Sequence, residues 1–263
     1  MADWNPDLYL RYADERTRPA LDLAARIPLQ CADSVLDIGC GPGNSTAVAA
    51  ARFPGARVLG VDSSPAMVEQ ARRKHPEFRF SLCDVSRDLS SLGGGWDVVF
   101  SNACLQWVPG HDALIPALFG LLAPGGVLAV QVPKQDEQPV HRLLQEVART
   151  PRWSARITSV RRFFNRTPEE YFDILSTLTR EFQQWEVVYY QRMPSCEAIL
   201  EWYRATGMRP YLAQLSEADR PAFEADVLAG IRELYPARGS GEILFRFPRL
   251  FFTASRPGKA GAP

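Results

Sequence analysis

Most of the recognisable chemistry sits in one short segment, Val35-Leu36-Asp37-Ile38-Gly39-Cys40-Gly41-Pro42-Gly43. An apolar strand ends in a carboxylate and runs into a glycine-rich turn that opens a helix. Glycines in such a turn adopt unusual φ values and let a ligand approach the backbone closely. The dinucleotide fingerprint G-x-G-x-x-G is broken, because Asn44 stands where its third glycine belongs. Asp37 bears on the charge of the ligand: a pyrophosphate beside it is repelled, whereas a positive group is attracted. At ~4 Å and an effective dielectric of ~20 that attraction is roughly 4 kcal/mol before desolvation. A cationic, phosphate-free ligand such as S-adenosylmethionine, with its sulfonium and ammonium, fits the turn better. Asp62, with Ser63 after it, ends the next strand at the spacing where such folds place an acid on ribose hydroxyls. Asp84-Val85 follows the third strand, and Asp84 is a candidate acceptor for an adenine amine. Each acid alone reads equally as a solvated strand-end residue; the three together beside the glycine turn make a coherent adenosine cleft.

The elements that must position these residues alternate in parallel βαβ fashion from about residue 34 to 132. Strands are expected at Val35–Ile38, Arg57–Val61, Phe78–Leu82, Asp97–Ser101 and Val127–Val132. Helices are expected at Ser45–Phe53, at Pro65–Lys74 with Ser64 as N-cap, and at about Asp112–Leu122, stopped by Pro124-Gly125-Gly126. An earlier helix, Pro19–Arg26, follows a polar, aromatic-bearing arm. Later helices are expected at Pro139–Arg149, Pro168–Thr179, Cys196–Thr206 and Ala218–Leu234, with strands Glu186–Tyr190 and Ile243–Thr253. Pro248 interrupts the last strand and predicts an edge or a bulge there. The expected organisation is one domain over 1–263: arm and helix in 1–30, cofactor-binding core in 34–133, helical cap elements in 134–185 and 195–236, and a final strand in 243–254.

Composition narrows the function classes. The 263 residues carry 30 Lys+Arg and 30 Asp+Glu, a balance unlike that of a domain gripping nucleic acid by its phosphates. No apolar run approaches the roughly 20 residues needed to cross a bilayer, and the N-terminus does not read as a leader. The five cysteines form no C-x-x-C pair and the three histidines are isolated, so free thiols, no metal and a cytoplasmic setting are expected.

The block Val35 to Val132 resembles class I S-adenosylmethionine-dependent methyltransferases. That resemblance implies a Rossmann-like α/β fold with a mostly parallel seven-stranded sheet whose last strand is antiparallel. It places Gly39–Gly43 under the methionine part of the cofactor, Asp62 on the ribose and Asp84-Val85 beside the adenine; Ser63 and Asn102 join the cofactor candidates. Nearly the whole chain resembles trans-aconitate 2-methyltransferases, through Asp3-Trp4-Asn5-Pro6, Glu15 to Ala20, Gly41 to Thr46 and Asn102-Ala103-Cys104-Leu105-Gln106-Trp107. Leu128 to Gln131, Ala205 to Pro210 and Phe247 to Leu250-Phe251 extend it. Two places depart from the pattern. Relatives tend to continue Gln-x-Pro-Asp-Asn where this chain has Gln131-Val132-Pro133-Lys134-Gln135, and the connection Arg152–Arg166 is unusual and basic.

The activity this implies is methylation of a carboxylate oxygen of a small polycarboxylate, with trans-aconitate as the implied acid. A carboxylate of pKa near ~4 is already ionised at neutral pH, so no general base is required and none is visible. A polyanion does require cations, and the planar fork of arginine suits carboxylates. Arg209 and Arg249 are the first candidates, then Arg16; Arg18 is a candidate for the cofactor's own carboxylate. Trp107 either walls the methyl-transfer site or packs, and Trp4 and Tyr9 either close a lid or staple the arm. Alternatives are a different small acid or hydroxylated metabolite, or a cofactor-binding sensor without catalysis. Nucleic-acid methylation lacks its Asn/Asp-Pro-Pro-aromatic motif, since Ser101-Asn102-Ala103-Cys104 follows the fourth strand.

Overall fold

The structure is a computed structural model that describes residues 13–258 apart from Arg161 and Ala205, with Ala13–Arg16 and Asp136 described by backbone alone. Seven strands form one sheet: β1 (Ser34–Ile38), β2 (Arg57–Asp62), β3 (Arg79–Leu82), β4 (Trp96–Asn102), β5 (Leu122–Pro133), β6 (Phe182–Met193) and β7 (Ile243–Ser255). Their order is β3-β2-β1-β4-β5-β7-β6. The pairs β1–β2, β2–β3, β1–β4 and β4–β5 are parallel, and β7 runs antiparallel to β5. This is the mostly parallel sheet with an antiparallel last strand that the resemblance implied. All five residues of β1 are buried, as a central strand covered on both faces requires. The strand order reverses between β1 and β4, and open α/β sheets place ligands outside the carboxyl ends at such a switch.

Helices α1 (Ala13–Ala25), α2 (Asn44–Arg52), α3 (Pro65–Lys74) and α4 (His111–Gly120) flank the first five strands. Ser64 caps α3 as expected, its side chain accepting from the Met67 amide at 3.3 Å. Beyond β5 come α5 (Pro139–Arg149), α6 (Pro168–Leu178), α7 (Cys196–Arg204), α8 (Arg209–Leu212) and α9 (Arg220–Leu234).

Topology corrects one expectation and the edge alternative of another. Pro124-Gly125-Gly126 does not stop a helix; α4 has already ended at Gly120, and the triplet lies inside β5. Trp96 pairs with Leu122 and Val98 with Val127, so the β5 side bulges over Ala123–Gly126. A Cβ on Gly126 would lie 2.7 Å from the Trp96 carbonyl oxygen, which explains glycine there. Nor is β7 an edge, since it lies between β5 and β6. Pro248 is tolerated because the ladder to β5 ends one residue later in chain order, at Arg249 opposite Pro133.

The chain divides into two compact units, residues 134–162 with 188–248, and residues 13–133 with 163–187 and 249–258. In the first, α9 packs on α5 and α7. Trp153 meets Phe223 edge-on at 5.4 Å, and Arg204 makes two hydrogen bonds to the Glu224 carboxylate at 2.8 and 2.6 Å. The second unit carries the glycine turn. Its core joins Leu36, Ile38, Val99, Leu128, Val130 and Phe252 of the sheet to Ile115 and Leu118 of α4 and to Tyr171 and Leu175 of α6. The helix α6, grouped with the cap elements in the sequence reading, therefore packs in this core, because Tyr171 and Leu175 are apolar anchors one helical turn apart. The opposite sheet face is covered by α1 and α2. No helix among the described residues is long and apolar enough to cross a membrane.

Candidate functional site

The turn after β1 is held from two sides. The Gly39 and Cys40 amides donate to the Val61 carbonyl at 2.8 and 2.9 Å, tying the turn to β2. The Asp62 carboxylate then accepts from the Gly41 amide on one oxygen and from the Ser64 amide on the other, both at 2.9 Å. Asp62 thus shapes the cleft before it meets any ligand. Gly39 has φ +72, and a Cβ there would lie 2.2 Å from the Cys104 sulfur, so the post-β1 turn and the post-β4 loop touch at the switch point. Space beside Gly41 is open, as a backbone cradle for a ligand requires.

Asp37 is fully buried at 0% exposure. One of its oxygens accepts from the Ser45 and Thr46 hydroxyls at 2.7 Å each, and the other has no hydrogen-bond partner among the described residues. Burial pushes its carboxyl up to about 6, against the opposing pull of those two hydroxyls. A buried acid with one oxygen unmade suits a positively charged ligand group, which would restore its ionised form. Asp84 is engaged differently. Its carboxylate accepts from the Ser86 amide and hydroxyl at 3.0 and 2.6 Å, and those bonds hold it below the usual carboxylate range. It closes its own turn, while Val85 is buried in the core beneath. Ser63 is exposed beside Asp62.

The loop after β4 is braced at each residue. Ala103 has φ +55, the single non-glycine residue with positive φ among those described. Its amide donates to the Gln131 carbonyl, and the Gln106 side chain donates to the Ala103 carbonyl at 2.6 Å. The Phe164 amide donates to the Gln106 carbonyl at 3.0 Å, and the rings of Trp107 and Phe163 lie 5.0 Å apart. Buried His111, the first residue of α4, donates from Nε2 to the Leu105 carbonyl at 2.9 Å and accepts at Nδ1 from the Tyr171 hydroxyl at 2.7 Å. Desolvation holds this imidazole below its ordinary pKa and so in the neutral form that the two bonds need. Sequence reasoning gave His111 no role, since its partner Tyr171 is 60 residues away.

Register collects the remaining candidates on one face. Asp37 aligns with Phe100, Phe100 with Ala129 and Ala129 with Thr253; two residues further along, Asn102 aligns with Gln131 and Gln131 with Phe251, then Pro133 with Arg249. Successive residues alternate faces, so Asp37, Asn102, Gln131 and Arg249 share the face covered by α1 and α2. Arg249 is only 5% exposed. Gln131 was quoted in a motif and not counted as a site residue; its burial was invisible without the register.

Other candidates fall elsewhere. Trp4 and Tyr9 lie outside the described residues. Arg16 is on the first turn of α1 with its side chain undescribed, and Arg18 is exposed on the same helix. Arg209 begins α8 in the other unit. The divergent Lys134 has its ammonium 2.5 Å from Glu137, which Arg246 approaches at 3.5 Å. The basic connection is largely neutralised: Arg152 pairs with Asp226, Arg156 with Asp219, and Arg166 with Asp112 and Glu170. Among the described residues no group of three His, Cys, Asp or Glu could hold a metal.

A methyltransferase-domain family matches residues 35–126. The chain is similar to the trans-aconitate 2-methyltransferase of Paracidovorax citrulli, 46% identical over 258 residues that span 97% of this chain and 99% of the relative. The trans-aconitate 2-methyltransferase of Escherichia coli O157:H7 is 44% identical over 256 residues, with the same shares of both chains. Among solved structures, a putative methyltransferase from Bacillus halodurans aligns with TM-score 0.59 at 13% identity, over 91% of this chain and 99% of that one. The phosphoethanolamine N-methyltransferase 2 of Haemonchus contortus, solved with S-adenosyl-L-methionine, aligns with TM-score 0.52 at 22% identity, over 91% of this chain and 52% of that one. With a glycine turn at the β1–β4 switch and identity along nearly its whole length, this chain belongs to the trans-aconitate 2-methyltransferase family and is an S-adenosylmethionine-dependent methyltransferase.

Proposed function

We propose that this protein methylates a carboxylate oxygen of a small polycarboxylate, trans-aconitate foremost, giving a monomethyl ester and S-adenosylhomocysteine. The observation that carries this reading is the polarity of one sheet face: a carboxylate at the β1 end, Asp37, two amides between, and a buried guanidinium at the β7 end, Arg249. A cation and an anion seated outside the carboxyl ends of these strands meet near the middle of that row. The names of the relatives support the choice of acid. When bound, S-adenosylmethionine supplies a methyl group on a sulfonium, which a carboxylate oxygen can take without any proton transfer. Asp37 would attract the positive end, the Gly39–Gly43 backbone would lie under it, and Asp62 would accept from hydroxyls. Arg249 would pair with a carboxylate of the acid, and the post-β4 loop would exclude water from the reacting oxygen. Arg209 stands as the second arginine candidate.

The test is a methyl-transfer screen over small di- and tricarboxylic acids with products identified by mass. A tricarboxylate is expected to be turned over far better than its analogue lacking one carboxylate. Arg249→Ala is expected to erase that preference while leaving cofactor affinity intact, at a cost of roughly 2–4 kcal/mol in kcat/KM. Arg249→Lys restores part of it, because a point charge does not reproduce a two-pronged fork. Turnover of a hydroxylated metabolite and of no acid overturns the reading.

A further inference from the structure

Gln131 is 0% exposed, and among the described residues neither end of its side-chain amide has a hydrogen-bond partner. Native chains rarely leave a buried polar group unmade, and each exception calls for a reason. The position of Gln131 supplies one. It lies near the carboxyl end of β5, in register with Asn102, whose Oδ1 is likewise buried and unpartnered. On the same face Asp37 lies toward β1 and Arg249 toward β7. The amide therefore stands between the acid and the guanidinium, at the middle of the polar row.

We propose that Gln131 binds the carboxylate that accepts the methyl group, its Nε2–H donating to one carboxylate oxygen and so turning the other toward the methyl. This inference rests on the acid-methylating function proposed above and adds a division of labour among the carboxylates. A guanidinium on the reacting carboxylate would withdraw the electron density that the new bond needs. A neutral amide gives direction while withdrawing less. Arg249 accordingly holds a carboxylate that stays free, and Gln131 the one that is esterified.

Two substitutions test this against a purely structural glutamine. Gln131→Met keeps the shape and removes both polar ends. It is expected to lower kcat/KM for the acid roughly 10- to 100-fold, the effect of one lost hydrogen bond to a charged group. Cofactor affinity by calorimetry should stay within about twofold and Tm should hold or rise, because two unmade buried groups are gone. Gln131→Glu is expected to weaken binding of the acid to the protein saturated with S-adenosylhomocysteine at neutral pH. That binding returns as pH falls and the new carboxyl takes up a proton, a trend the wild type lacks. If Tm, cofactor affinity and activity fall together in Gln131→Met, or if the Gln131→Glu and wild-type pH profiles run parallel, the assignment is wrong. Wild-type turnover separates the two layers. A wild type that esterifies no acid overturns the function reading, whereas active wild type with an unimpaired Gln131→Met overturns the role of Gln131 alone.

Discussion

Two corners of the same sheet edge are built on opposite principles. At the β1–β2 corner the polar groups are mostly engaged by the chain itself: Asp62 takes two backbone amides, and Asp37 takes two hydroxyls on one oxygen, leaving its other oxygen alone unmade. At the β4–β5 corner the backbone is just as well tied, yet the side chains of Asn102 and Gln131 carry unmade polar atoms. The first corner is rigid before a ligand arrives, as suits a group bound in the same pose every time. The second has its frame preset and its polar side chains held back for something else. The lesson is that preorganised backbone and unfulfilled side-chain bonding sit side by side, with the greater share of the unmade atoms at the β4–β5 corner.

The largest effect that would break this contrast is at Gly39. Gly39→Ala forces a Cβ against Cys104 and strains a backbone of φ +72. A loss of roughly 3–5 kcal/mol is expected, a fall in Tm of about 10 °C or more. Cys104→Gly in the same chain should recover part of it, and a double-mutant cycle showing no coupling would mean that contact is not the cause.

Next is Asp37, with its carboxyl at about 6 in the fold against an ordinary 3.8. Between those pH values the folded chain holds a proton that the unfolded chain has lost. Stability therefore falls as pH rises through that window, by on the order of 3 kcal/mol once the window is passed. Asp37→Asn cannot ionise and lacks this decline, so urea titrations at pH 4 and pH 7 should show the gap between variant and wild type changing. A constant gap would place Asp37 in a different environment.

Asp62→Ala sharpens the contrast from the same corner. Removing an acceptor for charge-assisted bonds is expected to weaken S-adenosylmethionine roughly 10- to 100-fold, with the acid's relative preferences unchanged. Altered acid selectivity in that variant would show that the two corners are not separable. The smallest effect is at Phe163→Leu, which removes the ring packed on Trp107. It should lower kcat/KM for the acid by about fivefold, a ring pair being worth roughly 0.5–1.5 kcal/mol. Unchanged cofactor affinity in the same protein is the control that assigns the loss to the substrate side.

The first corner was the legible one, because its logic is local. A strand ending in Asp37, a glycine turn and Ser64 before Pro65 are neighbours in sequence, and the cap and turn formed as read. The second corner was half legible. Asn102 and Arg249 were candidates from motif resemblance, whereas Gln131 gains its meaning from alignment with Asn102 and Phe251, 29 and 120 residues distant by the register. The Pro124-Gly125-Gly126 triplet misled for a related reason: the same residues that stop helices also form bulges, and only the Trp96 partner decides between them. At Pro248 only the edge alternative fails, because β7 lies between β5 and β6, and a proline's tolerance depends on where the neighbouring ladder ends.

The bracing of the post-β4 loop has a consequence in time as well as in shape. Between Ala103 and Val108, amides or carbonyls are tied to Gln131, Phe164, His111 or to one another. Slow exchange in deuterated solvent is therefore expected for the amides of Ala103, Trp107, Val108 and Phe164, each of which donates to a carbonyl of the protein. In that sense the loop is built as a wall and not as a door.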